Sequence, residues 1–260
     1  MYASTLLLTA LGASSVFAAP VFPDLNLAAA LPGNIDTMSE YFGMLASKVQ
    51  QSRLMSEAPV CDLSKATVEP PLPPVSEGLT LKHIAIGRGT QNYTCDLSNS
   101  TAVPVANGAM ATLFNASCIV ATYPDLAKML GRVSMQFNLT QSEITGKLAP
   151  SNLAISGTHF FTNATTPFFN LDISPQQHIG EIPCARDAGS PAPADAPKGQ
   201  KGEPAVAWLK LKARDGATGG LQEVYRVETV GGSAPASCKG QPASFEVQYA
   251  TQYWFFEAPQ

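Results

Sequence analysis

The chain has 260 residues, a formal net charge of −4 and a charged fraction of 14%. Its Lys and Arg residues are not clustered, so the sequence lacks the positively charged stripe typical of nucleic-acid-binding proteins. Beyond the first nineteen residues no apolar stretch is long enough to cross a bilayer, and we expect no membrane span.

Residues 1–19 have the features of a secretory signal peptide. They contain no charged side chain, their apolar stretch from Thr5 to Phe17 is shorter than a membrane span, and small residues follow it. We therefore expect cleavage after Ala18 or Ala19 and a protein that is secreted, in the extracellular space or the cell wall.

Five Asn-x-Ser/Thr sequons agree with that compartment. They lie at Asn92, Asn99, Asn115, Asn138 and Asn163. Because an attached glycan must face solvent, the sequence predicts a glycoprotein with several exposed edges in its central third.

The five cysteines include no C-x-x-C pair, which argues against zinc ribbons and thioredoxin-like redox sites. In an oxidising compartment most cysteines pair. We expect one bridge between Cys95 and Cys118 and another between Cys61 and Cys238, although spacing alone does not fix the pairing. Cys184 is expected to stay unpaired, because it falls in the segment with the least predicted structure.

In chain order, residues 20–75 predict a helix and then a proline-rich connector. Thr37 and Glu40 have the spacing of a capping box, and apolar residues recur on one face of residues 37–54. The prolines of residues 69–74 then favour an extended connector, because proline cannot continue a helix.

From Leu79 the apolar period changes to two, which is typical of β-strands. The string "GRG" at residues 87–89 separates two alternating runs, so we expect a hairpin of strands 79–86 and 90–95. One of its glycines would have a positive φ, and Arg88 would be an ordinary surface residue.

Residues 76–260 as a whole predict a single β-rich domain, interrupted by a flexible loop at about residues 183–204, where Pro, Ala and Gly dominate. The expected class is mainly β, an antiparallel β-sandwich or jelly-roll-like barrel with one N-terminal helix and one short helix. The short helix is expected at residues 123–130, and the further strands at residues 109–114, 132–139, 155–162, 168–172, 206–214, 221–230 and 244–256.

Five strings carry a family resemblance: "GRGTQNYTC", "FFTNATTPFFNLD", "AVAWLKLKA", "VYRVETVGGSAP" and "EVQYATQYWFF". Their order and spacing resemble the secreted fungal branch of the domain-of-unknown-function family numbered 3455. That family has no established activity, so the resemblance implies no catalytic residue. Some relatives carry the name malate dehydrogenase, but this sequence has no G-x-G-x-x-G after a strand and no βαβ alternation. We therefore expect neither dehydrogenase activity nor a bound cofactor.

Among the three histidines, His159 is the candidate for catalysis, because pairing of residues 157–162 with 168–172 would bring it near Asp172. The alternative is a strand histidine that hydrogen-bonds locally. No second ligand stands at metal-binding spacing, so no metal site is expected.

Four aromatic residues are the candidates for binding: Phe161, Phe168, Trp208 and Trp254. Exposed aromatic rings bind sugars or flat apolar ligands, whereas the same residues also fill β-sandwich cores, and both interpretations stay open. The sequence thus predicts a binding or structural module for a cell-wall polysaccharide or a small apolar ligand. The alternative is a secreted enzyme, a hydrolase or cyclase-like catalyst, that uses His159 and Asp172.

Overall fold

The computed structural model describes residues 32–55, 57, 59–173 and 177–259. The predicted signal peptide, residues 1–19, lies outside the described residues. No helix in these described ranges is both long enough and apolar enough to span a membrane.

The described chain begins with one long helix, continues into strands, and has three short helices between the second and third strands. The helices are α1 (Pro32–Arg53), α2 (Ser117–Thr122), α3 (Pro124–Ser134) and α4 (Leu139–Thr145). The strands are β1 (Thr80–Thr94), β2 (Val105–Asn115), β3 (Ile155–Asn163), β4 (Thr166–Asn170), β5 (Glu181–Ser190), β6 (Trp208–Ala213), β7 (Leu221–Gly231) and β8 (Ser244–Glu257).

The eight strands form a closed barrel in which each strand pairs antiparallel with the next and β8 pairs with β1. The prediction of a mainly β, antiparallel fold with few helices is confirmed. The strands follow one another as a meander, which distinguishes this barrel from the Greek-key connections of a jelly roll. We call the end where β1 begins the lower end and the end where β1 finishes the upper end.

The lower half of the barrel interior is an apolar core. Alternate residues of each strand point inward, which brings together Ala85, Leu113, Phe169, Leu211 and Phe255. The outward-facing residues of β1, β7 and β8 form a second core with the helices α1, α2 and α3, which lie against the outside of the barrel.

The predicted hairpin at residues 79–95 is wrong, because β1 runs without a break through "GRG". Neither Gly87 nor Gly89 has a positive φ. A Cβ on Gly87 would lie 2.6 Å from Cε2 of Tyr253, so this glycine is needed for its small size on the inner wall. Arg88 is also no surface residue, since only 1% of it is exposed.

Two other segments differ from their predicted structure. Residues 132–139 are not a strand, because α3 continues to Ser134 and a turn follows. Val133, Met135 and Phe137 are buried there, as are the residues between them. The expected loop at residues 183–204 begins only after Ser190, because the first part pairs with β4 and β6 as β5.

The disulfides join Cys61 to Cys118 and Cys95 to Cys238, so the expected pairing is wrong. Cys95 follows β1 at the upper end of the barrel, and Cys118 follows β2 at the lower end, so the length of β2, 11 residues or about 35 Å, lies between the two ends. Cys238 is instead adjacent to the β1–β2 connection, where its N–H donates to the carbonyl of Ala102. Cys184 is unpaired as expected, but it is buried in β5.

The proline-rich connector before β1 is fastened to the outside of the barrel by a buried ion pair. Lys210 Nζ lies 3.2 Å from Glu223 Oε1, and the two side chains are 4% and 3% exposed. Lys210 also donates to the carbonyl of Pro74, and Ser76 donates its N–H and its hydroxyl to the Glu223 carboxylate. The connector therefore lies in a fixed position against β6 and β7.

Candidate functional site

Both tryptophans of the chain line one cavity of about 320 Å³, between the helices and the outer wall of the barrel. We call it the tryptophan cavity. Its lining residues come from the connector, α2, α3 and three strands: Thr67, Val68, Glu69, Val120, Pro124, Lys128, Trp208, Glu228, Gln252 and Trp254.

Strand geometry places the two indoles on the same side of the barrel wall. Trp208 is the first residue of β6, and Trp254 lies two residues after Gln252, so the period of two puts both β8 side chains on the outer face. Trp254 pairs with Tyr225 of β7, which in turn pairs with Lys210 of β6. The cavity therefore lies over the β6–β7–β8 part of the wall.

The two indole N–H groups differ in how they are satisfied. Trp254 is 2% exposed, and its Nε1 donates to Gln252 Oε1 at 3.1 Å. Trp208 is 8% exposed, and its Nε1 has no hydrogen-bond partner within the part of the chain that the structure describes. A buried donor without a partner costs about 1–3 kcal/mol. An acceptor on a ligand that reached this group would recover that free energy.

Glu228 adds backbone strain to the same wall. Among the described residues it is the only one other than glycine with a positive φ, +50°, and it lies in the β-bulge between Val227 and Val230 of β7. Its carboxylate forms an ion pair with Lys128 of α3, with 3.5 Å between Nζ and Oε1. Residues held in unfavourable backbone regions cost roughly 1–3 kcal/mol and are concentrated at functional sites.

The cavity therefore combines apolar rings with hydrogen-bonding groups, some positively and some negatively charged. The indoles supply flat apolar surface, the Trp208 N–H and Lys128 supply donors, and the carboxylates of Glu69 and Glu228 supply acceptors. In the described ranges, no three His, Cys, Asp or Glu side chains are grouped so that they could hold a metal ion. This chemistry is suited to binding an uncharged, polar ring compound.

The candidate catalytic residues, His159 and Asp172, each have a backbone partner of their own. Nδ1 of His159 lies 2.9 Å from the carbonyl oxygen of Phe168, and its ring stacks on Phe169 with 4.2 Å between centroids. Burial lowers the pKa of His159 to about 4. Asp172 Oδ1 accepts the N–H of Gly180 at 2.8 Å, and no hydrogen bond joins the two side chains.

The four aromatic candidates for binding do not form one platform. Phe161 is half-buried near His159, with 5.7 Å between ring centroids, at the upper end of the barrel interior. Phe168 is half-buried against Phe160, with a centroid distance of 5.2 Å. Only Trp208 and Trp254 meet in one cavity.

A family model described as "Protein of unknown function (DUF3455)" matches residues 75–257. The chain belongs to the DUF3455 family. No curated protein and no solved structure matches it.

The DUF3455 domain supplies most of the tryptophan cavity, and the segment before the domain supplies the rest. Thr67, Val68 and Glu69 precede the matched range, and the disulfide from Cys61 to Cys118 ties their segment to α2 of the domain. The cavity is therefore complete only when this preceding segment is in place.

Sequence reasoning selected both tryptophans of the DUF3455 domain but missed Lys128, Glu228 and Glu69. Gln252 was recognisable as the polar neighbour that shares a strand face with Trp254. Glu228 gave no signal, because the bulge that turns it towards the cavity exists only when β7 pairs with β8.

Proposed function

We propose that this DUF3455 protein is an extracellular binding protein that holds one sugar ring of a cell-wall polysaccharide in the tryptophan cavity. The observation that carries the proposal is that Trp208, which lines the cavity, has a buried Nε1 without an acceptor. A sugar hydroxyl both accepts and donates, so it can bond to this indole N–H and to a nearby carboxylate at once.

The size and composition of the cavity support a single ring as the ligand. Its volume of about 320 Å³ is at the lower end of the range for small-molecule sites. Pyranose rings have apolar C–H faces that pack on indoles and hydroxyl edges that need polar partners. Both kinds of surface are available here, in Trp208 and Trp254 and in Glu228 and Lys128.

An extracellular location agrees with several features. The two disulfides are compatible with an oxidising compartment. Of the five sequon asparagines, all but Asn92 are exposed, and none of them lines the tryptophan cavity. N-glycans on those residues would therefore leave the cavity accessible to a ligand.

Intrinsic fluorescence tests the proposal directly, because the chain has two tryptophans and both line the cavity. We expect a saturable change in tryptophan emission when the purified protein is titrated with oligosaccharides of β-glucan, chitin or mannan. Trp208→Phe keeps an aromatic ring but removes the N–H, and it should weaken binding by about tenfold.

The control is Phe168→Leu, which removes a half-buried ring away from the cavity and should leave glycan affinity unchanged. Unchanged affinity of Trp208→Phe, or no response to any glycan, would contradict the proposal. Binding of apolar probes without binding of glycans would assign the cavity to a small apolar ligand instead.

A further inference from the structure

We infer that the upper end of the barrel interior is a second binding site, independent of the tryptophan cavity, which takes the carboxylate of a small organic acid between Arg226 and Arg186. Two inward arginines there have no acidic partner in the described ranges. Polar groups without a hydrogen-bond partner lie beside them, and apolar side chains lie below.

Arg226 points into the barrel from β7. Its neighbours in the sheet are Leu209 on one side and Tyr253 on the other, and both belong to the inner face. The guanidinium is half-buried and donates Nε and Nη2 to the carbonyl of Ala207, at 3.2 and 2.8 Å. No carboxylate in the described part of the chain forms an ion pair with it. Its positive charge is therefore balanced only by neutral groups.

Arg186 lies on β5, in the part of the barrel wall next to Arg226, because Gly189 of β5 and Arg226 of β7 both pair with Leu209. It pairs with the inward-facing Leu211, and its side chain lies over Gly189, where a Cβ would come within 2.3 Å of Nη2. Because Gly189 has no side chain, there is room for the guanidinium of Arg186 above it. Arg186 is exposed, and among the described residues it makes neither a hydrogen bond nor an ion pair. Its five N–H donors are available to a ligand.

Neutral polar groups surround Arg226 further inside. Burial raises the pKa of the Tyr249 phenol well above its usual value, and the amide of Gln91 lies close enough to that hydroxyl to oppose the shift slightly. Nevertheless Gln91 Nε2 has no partner at hydrogen-bonding geometry, and the residue is 9% exposed. The hydroxyls of Tyr249 and Tyr253 share one hydrogen bond of 3.0 Å.

The charges of these groups favour an anion. Burial lowers the pKa of His159 to about 4, so this histidine is neutral at pH 7 and Arg226 carries the positive charge among the inward groups. A guanidinium in a partly dry site, with unpaired donors beside it and no acid, is complementary to a carboxylate, which accepts a planar pair of N–H bonds.

The apolar surroundings favour an organic acid over an inorganic anion. Phe161 and Leu209 are half-buried at the upper end of the barrel, and Phe169 stacks on His159 below them. Eight-stranded barrels have room for one small ligand at most. We therefore expect a monocarboxylate with a short apolar body, bound with its carboxylate at the arginines and its body against Phe161.

Titration calorimetry of the full secreted chain tests this site with hexanoate and benzoate, each compared with the matching alcohol. We expect the carboxylates to bind at least about tenfold more tightly than the alcohols, because a hydrogen bond to a charged group contributes that much. Arg226→Gln and Arg186→Gln should each weaken carboxylate binding about tenfold or more. Arg186→Gln removes no hydrogen bond and no ion pair among the described residues, so it tests the site even if Arg226→Gln fails to fold.

Lys212→Gln is the matched control, because it removes one positive charge from the outer face of the neighbouring strand, where Lys212 pairs with Asp187. It should leave carboxylate affinity unchanged, as should Trp208→Phe. The inference is overturned if neither carboxylate binds, if acids and alcohols bind equally, or if Lys212→Gln weakens binding as much as Arg186→Gln does. Each of these results leaves the glycan titration of the tryptophan cavity unaffected.

Discussion

Replacing Lys210 with Met should lower the free energy of unfolding by about 3–5 kcal/mol, because it leaves the Glu223 carboxylate buried without its cation. The two charged atoms are 3.2 Å apart, and both side chains are almost fully buried. At an effective dielectric constant of about 20, this distance corresponds to an attraction of about 5 kcal/mol. The desolvation of both ions offsets much of that value in the intact pair.

The double variant Lys210→Met/Glu223→Met should lose less stability than the buried unpaired charge would suggest. It removes both charges together, so no unpaired ion stays buried, and the remaining loss is the set of hydrogen bonds to Pro74 and Ser76. At about 1 kcal/mol for each of the three bonds, the double variant should lose about 3 kcal/mol, which is no more than the loss expected for Lys210→Met alone.

Urea denaturation of the oxidised protein compares the wild type, Lys210→Met, Glu223→Met and the double variant, from the midpoint and slope of each transition. Lys212→Gln is a suitable control, because its ion pair with Asp187 is more exposed and should contribute less than about 1 kcal/mol. The reasoning is refuted if Lys210→Met costs less than about 1 kcal/mol, or if the double variant costs the sum of the two single ones.

Three further predictions concern the barrel interior. Gly89→Ala should destabilise the protein by about 3 kcal/mol or more in urea denaturation, because its Cβ would lie 1.9 Å from the Met110 carbonyl oxygen. The free energy of unfolding should decrease as the pH is lowered from 6.5 to 4, because burial lowers the pKa of His83 and His159 in the folded protein to about 4, whereas the unfolded chain binds these protons at higher pH. In His159→Phe, urea denaturation at several pH values should show a smaller decrease. Cys184 should react with thiol reagents only after unfolding, because burial raises its pKa, and labelling of the native protein would contradict this.

Most strands could be predicted because half of their residues face the core. The alternation at residues 221–230 and 244–256 corresponds closely to β7 and β8. The helix predicted for residues 37–54 is present, but α1 begins earlier, at Pro32, so the prediction that Thr37 and Glu40 cap its start is wrong. The string "GRG" could not be resolved in the same way. Glycine serves both turns and close packing, and only the ring of Tyr253, distant in sequence, decides between them.

Only some of the residues that line the tryptophan cavity could be predicted from the sequence. Trp208 and Trp254 were recognisable because each shares a strand face with polar neighbours. Lys128 and Glu69 could not be found, since a helix and the connector bring them to the cavity only after both have packed on the barrel. Pairings between distant segments, including the disulfides, likewise depend on the closed barrel and not on local pattern.

The seam between β1 and β8 places the two ends of the DUF3455 domain side by side, since Thr80 pairs with Glu257. A domain whose chain enters and leaves at neighbouring points can be inserted into a surface loop of another protein without pulling the ends of that loop apart. It also tolerates circular permutation in principle, because a short linker can join the old ends while new ones are opened at the β6–β7 hairpin. The barrel is thus suited, by its own closure, to gene fusion and to transfer between larger proteins.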